Sequence, residues 1–288
     1  MAKIAPDRVP DRIGIFDSGI GGLSVLRAVR AQLPQAALTY IADSRHTPWG
    51  DRSAPWIRAR CVQLAGWLID DGCDLVLVAC NTGTTQAIAA LRARWPGQQF
   101  VGVEPGIKPA VAASRNHRVA VMATTGTLRS PRLQQLLQAH AGSTLVLQLP
   151  CPGLAEAIEA AGDAPAALAA QLDQISADLR ASAADTVVLG CTHYPLVAAA
   201  LQQRLGADTR LIDTADAVAH RVHSLLAGRA TASTTARTAV PTHPATGSLR
   251  LFSTADPGRL NSAAHHWLAI DCAASALDLP EPLATPRP

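Results

Sequence analysis

The chain has 288 residues, 48% of them apolar and 3% aromatic, and a formal net charge of +3. That length accommodates one large domain or two small ones, with a core built mainly from Ala, Leu and Val. The slight, scattered charge lacks the footprint of a nucleic-acid binder, and no apolar stretch has the length of a signal peptide or a membrane span. A cytoplasmic protein is therefore expected, with its six cysteines (61, 73, 80, 151, 191 and 272) reduced.

Short apolar runs alternate with segments rich in Ala, Leu, Gln and Arg, which predicts strands alternating with helices. Ile13–Asp17 reads as a strand and Leu23–Gln32 as the helix after it. Leu38–Ala42 is a second strand, Ala54–Asp70 a helix, and a strand then leads to Cys80. Thr85–Arg94 is helical and Phe100–Val103 a fourth strand. The order then repeats: Arg118–Ala123 strand, Arg132–Ala139 helix, Leu145–Leu149 strand, Leu154–Ala160 and Ala166–Ala183 helices. A strand leads to Cys191, followed by Val197–Leu205 as helix and Arg210–Ile212 as strand. Residues 228–247, rich in Thr, Ala and Pro, read as a flexible surface insertion. Leu249–Phe252 reads as an edge strand, Asn261–Leu268 as a closing helix and Leu279–Pro288 as a disordered tail. The fold class expected is α/β, with two similar parallel-sheet domains related by pseudo-twofold symmetry and a site in the cleft between them.

Two segments echo each other. Asp74-Leu-Val-Leu-Val-Ala-Cys80-Asn81-Thr82 is matched by Asp185-Thr-Val-Val-Leu-Gly-Cys191-Thr192-His193. A continuous apolar run is the pattern of a strand buried on both faces. Each Cys then falls at a strand's carboxyl end, where open α/β sheets gather their chemistry. A thiol is partly thiolate near neutral pH, and a helix N-terminus lowers its pKa further. Free Cys is also a small hydrophobe that packs well in cores, and Cys61, Cys73, Cys151 and Cys272 take that reading. Cys80 and Cys191 are set apart by the hydrogen-bonding residues that follow them. Two thiols facing one carbon from opposite sides suit a reaction that removes a proton from one face and returns one to the other. The spacing is not that of a zinc site, and no metal is expected.

Asp17 ends the first strand in Phe16-Asp-Ser-Gly-Ile-Gly-Gly22. The glycines allow a tight turn and a close approach of N–H groups to an anion, but the dinucleotide spacing is absent. Asp17 stands too early to cap the helix at Leu23, so an active-site carboxylate is expected. Thr124-Thr-Gly-Thr127 with Ser130 occupies the equivalent turn of the second half, either as helix caps or as donors to a small carboxylate. Glu159 and His193 are candidate acid/base assistants.

These residues carry a resemblance. Phe16-Asp17-Ser18-Gly19, Ala79-Cys80-Asn81-Thr82 and Leu189-Gly190-Cys191-Thr192-His193-Tyr194-Pro195-Leu196 resemble the signatures of the glutamate racemases, in the aspartate/glutamate racemase superfamily. The likeness runs from about residue 13 to 268. It implies an isomerase that interconverts L- and D-glutamate without a cofactor, for peptidoglycan. It also implies two α/β domains, with the end of the chain returning to the first, so that one would span 13–103 plus 214–288 and the other 104–213. Carried over, Cys80 and Cys191 are the acid/base thiols, Asp17 assists Cys80, and Glu159 and His193 assist Cys191. Asp17, Ser18, Pro48, Trp49, Gly50, Asn81, Thr82, Thr124, Thr127, Thr192 and His193 would hold the substrate. Glutamate is the expected partner, with no membrane or nucleic acid, and a homodimer the expected assembly. The segment Asp43-Ser-Arg-His-Thr-Pro-Trp-Gly50 departs from the family's usual Asp-Thr-Ala-Arg-Val-Pro-Tyr-Gly, with Trp49 where Tyr is common. Two alternatives stay open: a relative acting on aspartate, a hydantoin or a malonate, and a regulatory or binding role on the same scaffold.

Overall fold

The computed structural model describes residues 11–162, 164–230 and 247–282. The strands are β1 (Arg12–Asp17), β2 (Ala37–Ala42), β3 (Leu75–Val78), β4 (Gln99–Gly102), β5 (Arg118–Ala123), β6 (Leu145–Pro150), β7 (Thr186–Leu189), β8 (Arg210–Ile212), β9 (Leu249–Ser253) and β10 (Ala274–Ala276). The helices are α1 (Leu23–Gln32), α2 (Ala54–Asp70), α3 (Asn81–Arg94), α4 (Ile107–Ala113), α5 (Thr125–Leu128), α6 (Pro131–His140), α7 (Leu154–Glu159), α8 (Pro165–Ala181), α9 (Ala198–Leu205), α10 (Ala215–Ala230) and α11 (Pro257–Leu268).

Two parallel sheets result, one in the order β10-β9-β2-β1-β3-β4 and one in the order β6-β5-β7-β8. The run β2-β1-β3-β4 has the same order as β6-β5-β7-β8, and the registers agree: Ile13 pairs with Leu75 as Val119 pairs with Thr186. The architecture is thus α/β with two similar parallel-sheet units. Both faces of the first sheet are covered, which explains its near-continuous apolar strands. Ile13, Ile15, Leu75 and Leu77 pack on one side with α1, α10 and α11, while Phe16, Val76 and Val78 pack on the other with α2 and α3. The second sheet is covered likewise.

Four expectations need correction. Leu249–Phe252 is not an edge strand, because β9 pairs with β2 on one side and β10 on the other. The edge strand, Ala-Ser-Ala, is too short and small to announce itself. Helix α3 begins at Asn81 rather than Thr85, because Cys80 caps it: its sulfur accepts the Gly83 N–H at 3.4 Å. This cap overrides the poor helix propensity of Asn-Thr-Gly-Thr-Thr. Helix α10 runs on through 228–230, although 228–247 reads as a loop; it buries Val218, Ala219, Val222 and Leu226 against the first sheet's core. The remainder of that insertion, 231–246, lies outside the described residues. Finally, the tail is docked as far as it is described. Leu277 and Leu279 pack on the cluster around Trp49 and Ile57, and residues 283–288 lie outside the description.

Candidate active site

The site forms where the carboxyl ends of the two sheets meet. Cys80 follows β3 and is 5% exposed; Cys191 follows β7 and is 8% exposed. The pseudo-twofold relation brings each half's Cys segment onto the other half's first turn. Thr82 Oγ1 lies 3.0 Å from Thr124 Oγ1 and 3.2 Å from Thr127 Oγ1. Reciprocally, Ser24 donates to the Thr192 carbonyl at 3.1 Å, and a Cβ on Gly21 would stand 2.7 Å from the His193 backbone nitrogen. Gly21 is therefore required for close approach rather than for an unusual backbone angle.

On the first side, the Cys80 thiol lies 3.7 Å from Ser18 Oγ, and Asp17 sits beside it, fully buried. Asp17 Oδ2 accepts the Gly22 N–H at 2.7 Å, and both its oxygens lie 3.4 Å from Thr192 Oγ1. Asp17 does not cap α1, whose N-cap is Gly22 with no side-chain cap; it ties down the Gly22 N–H while still meeting the thiol. Tyr40 donates to the Gly19 carbonyl at 2.6 Å and fixes the turn from below.

On the second side, His193 Nδ1 lies 3.8 Å from Cys191 Sγ, and its Nε2 lies 2.8 Å from Glu159 Oε1. Glu159, the last residue of α7, also accepts the Ile20 N–H at 3.1 Å and the Thr47 hydroxyl at 3.4 Å. The anion that the glycine turn approaches is therefore a carboxylate of the opposite half. A side chain at Gly19 would collide with it.

Burial pushes the Cys80 thiol well up, and the neighbouring Asp17 charge adds to it; the Gly83 N–H and Ser18 oppose them. Asp17 itself is raised by burial, offset in part by His193. For His193, burial pulls down, but the bonds to Cys191 and Glu159 outweigh it and hold the imidazolium well above the ordinary histidine value. Glu159 is lowered, because His193 outweighs its burial. The two sulfurs thus face different partners: Cys80 a carboxyl group, Cys191 an imidazolium backed by a carboxylate. Cys73 and Cys151, by contrast, are pushed up to about 12 by burial and pack in the core.

Thr124 caps α5 and Ser130 caps α6, which is the capping reading of this turn. Asn81 Nδ2 is bonded to the Val103 carbonyl at 3.3 Å. Thr47 reaches Glu159, and Gly50 packs on Thr124, so the Thr47–Gly50 loop spans from Glu159 to the hydroxyl cluster. Trp49, expected among the substrate contacts, turns its indole into the core instead. It is 1% exposed and donates to Asp43 Oδ2 at 3.2 Å.

Asp43 is the centre of a network that the sequence did not announce. It pairs with Arg60 at 2.6 Å, both side chains fully buried, and also binds His46, Trp49 and Thr254. The missed signal was Arg60 itself. It lies on the buried stripe Ile57, Arg60, Cys61, Leu64, Ala65, Leu68 of α2, and a charge on such a stripe demands a buried partner. A cleft of 1360 Å³ lies outside Glu159, between α7 and α11, and neither thiol lines it. Among the described residues no group of three or more His, Cys, Asp or Glu could hold a metal ion.

The family model of Asp/Glu/hydantoin racemases matches residues 23–222. The chain therefore belongs to the Asp/Glu/hydantoin racemase family, isomerases built on paired α/β units. Within it, the chain is 46% identical over 218 residues to the glutamate racemase of Pseudomonas aeruginosa (strain UCBPP-PA14), covering 76% of this chain and 82% of that one. The structure superposes on glutamate racemase isoform RacE1 from Bacillus anthracis with a TM-score of 0.81 at 27% identity, over 95% and 99% of the two chains. For the Escherichia coli glutamate racemase in complex with L-glutamate and an activator, UDP-MurNAc-Ala, the TM-score is 0.78 at 30% identity, over 93% and 97%.

Proposed function

We propose that this protein is a glutamate racemase that interconverts L- and D-glutamate by two-thiol proton transfer at Cα, and so supplies D-glutamate for peptidoglycan. The observation that carries this reading is the pair of buried thiols at equivalent strand ends, each with its own acid/base neighbour.

A turnover of roughly 10 per second corresponds to a barrier of roughly 16 kcal/mol, and an amino acid Cα–H is a very weak acid. The developing enediolate needs preorganised donors in a dry site. Ser18, Asn81, Thr82, Thr124, Thr127 and Thr192, all near the thiols, are the donors in this reading, with Pro48 and Gly50 as the rim. The Trp49 indole is left out of it. The substrate ammonium would face Asp17, and its positive charge would offset the carboxylate that raises the Cys80 thiol. One sulfur then takes the α-proton while the other returns a proton to the opposite face, with Asp17 and the His193–Glu159 pair as their proton partners. Reversal exchanges the roles.

Because both thiols are nearly closed off, substrate entry would require the two domains, 13–103 with 214–288 and 104–213, to part. A cytoplasmic setting and a homodimer complete the reading. Six free thiols support the first, and among the described residues no helix is long and apolar enough to cross a membrane.

Incubation with L-glutamate and, separately, L-aspartate in deuterated water, without added cofactor, tests the function. Optical rotation should decay with glutamate, and the product should carry deuterium at Cα. Decay with aspartate alone, or product retaining its original hydrogen, would reject this reading.

A further inference from the structure

The docked end of the chain bonds residues that border and anchor the Thr47–Gly50 loop at the site. After β10, Leu277 continues the sheet by donating to the Ser253 carbonyl at 2.8 Å, and Leu277 and Leu279 pack on the cluster that holds Trp49. The Pro280 carbonyl then accepts from Arg60 at 3.0 Å, and Glu281 lies 2.8 Å from His46 Nε2. Both partners reach further inward: Arg60 and His46 each bind Asp43, the buried carboxylate that also holds Trp49. His46 and Trp49 flank the rim residues Thr47 and Pro48.

We propose that the segment Leu277–Pro282 is a strap that positions the Thr47–Gly50 loop for substrate, with His46, Arg60 and Glu281 as positioning residues. The proposal rests on the racemase reading. Its physical basis is division of labour within one ion cluster. The Asp43–Arg60 pair is fully buried, Gln63 accepts one Nη1–H of Arg60 at 3.1 Å, and the second Nη1–H and the second ring nitrogen of His46 need partners of their own. The terminal segment supplies an acceptor for each, a carbonyl and a carboxylate. Without them, a buried guanidinium N–H and an imidazole N–H lose their partners, at a cost paid in loop order rather than in the core. The loop so held presents Thr47 to Glu159 and Gly50 to Thr124, so it touches both halves of the site.

The test uses the full chain, Glu281→Ala, His46→Ala, their double variant, His46→Arg, and a chain ending at Asp278. Glu281→Ala and His46→Ala should each raise KM for glutamate about threefold to fivefold with kcat within twofold, the scale of one ion pair with an exposed member. Because His46→Ala already removes the Glu281 contact, the double variant should be no worse than His46→Ala. His46→Arg, whose guanidinium can still bridge Asp43 and Glu281, should stay near wild type. Removal of residues 279–288 should raise KM about tenfold, as loop misplacement does. Hydrogen exchange should quicken in the peptide covering 44–51 in the Glu281→Ala and shortened chains, and not in α3. Unchanged KM and unchanged exchange in those two chains would overturn the strap, as would strictly additive effects in the double variant. Failure of the function reading looks different: no turnover in the full chain, with the exchange result still deciding whether the segment holds the loop.

Discussion

Cys80 and Cys191 end equivalent strands and are placed by equivalent backbone bonds: the Ala79 N–H donates to Phe16 O and the Gly190 N–H to Met122 O, each at 2.8 Å. Beyond that point the halves diverge. Where β1 ends in Asp17, β5 ends in Ala123, and the two positions correspond through their own cross-strand bonds, Asp43 N–H to Asp17 O and Cys151 N–H to Ala123 O. The second half therefore has no carboxylate at its first strand end. It takes one from the end of α7 and relays it through His193, which stands where the first half has Thr82. Cys80 also caps a true helix, whereas Cys191 leads into a short 3₁₀ turn, Tyr194–Val197. Duplicated backbone geometry thus places two sulfurs symmetrically, while unrelated side chains provide the charge on each side. The sides are not insulated, since Thr192, next to Cys191, touches Asp17.

The comparison breaks most visibly if either sulfur is dispensable. Cys80→Ala and Cys191→Ala should each lower racemisation about 10³-fold or more, the upper range for loss of a positioned acid/base. Each variant keeps one thiol, so each should still exchange the α-proton of one enantiomer with solvent. In the proposed arrangement the sulfurs approach opposite faces, so the two variants should select opposite enantiomers. Proton NMR in deuterated water reads both quantities. Exchange of the same enantiomer by both variants would refute opposed bases.

A sharper version concerns the assistants. L- and D-glutamate have equal free energy, so kcat/KM must fall equally in both directions for any variant, and asymmetry is confined to kcat and KM taken separately and to which step limits the rate. His193→Asn and Asp17→Asn should each lower kcat/KM about 10-fold to 100-fold. In His193→Asn the primary deuterium isotope effect should rise for the direction in which Cys191 takes the α-proton. In Asp17→Asn it should rise for the other. If both variants raise the effect in the same direction, the two assistants do not serve separate thiols.

How much of this was legible in the sequence follows from the range of each signal. The strands and their terminal thiols stood out because a parallel strand covered on both faces is a local apolar run, and Asp74 and Asp185 mark the start of each. The element order exposed the pseudo-symmetry for the same reason. Glu159 was different. On α7 it reads as an ordinary surface carboxylate, and what distinguishes it is its bonds to His193 and Ile20, 34 and 139 residues away. For Trp49 the resemblance identifies a position, not which way a ring turns; Asp43 supplies the acceptor that draws the indole inward. Arg60 was readable in principle, as a charge on an apolar helical stripe, but its partner Asp43 is unremarkable in the chain. The docking of Leu277–Pro282 rests on a three-residue strand of small side chains and had no local signature at all.

Among the changes at the thiols and their neighbours the smallest effect is expected at Glu159, and it separates charge from shape on the Cys191 side. Glu159→Gln keeps the volume and an acceptor for the His193 and Ile20 N–H groups, but removes the negative charge. Since the Glu159 bond helps hold His193 above its ordinary value, the imidazolium of the variant should lose its proton at lower pH. The sign follows from linkage. A histidine raised in the folded protein contributes stability that is complete below its unfolded pKa and disappears as pH rises through the folded one. In wild type, both the alkaline limb of kcat/KM and the alkaline decline of the His193 contribution to thermal stability should therefore lie at higher pH than in Glu159→Gln. Near neutral pH the loss of kcat/KM should be about threefold to tenfold, the worth of one charge-assisted bond weakened rather than removed. Coincident alkaline limbs in the two proteins would show that His193 serves Cys191 without the Glu159 charge, and would reduce the second side to a two-residue device.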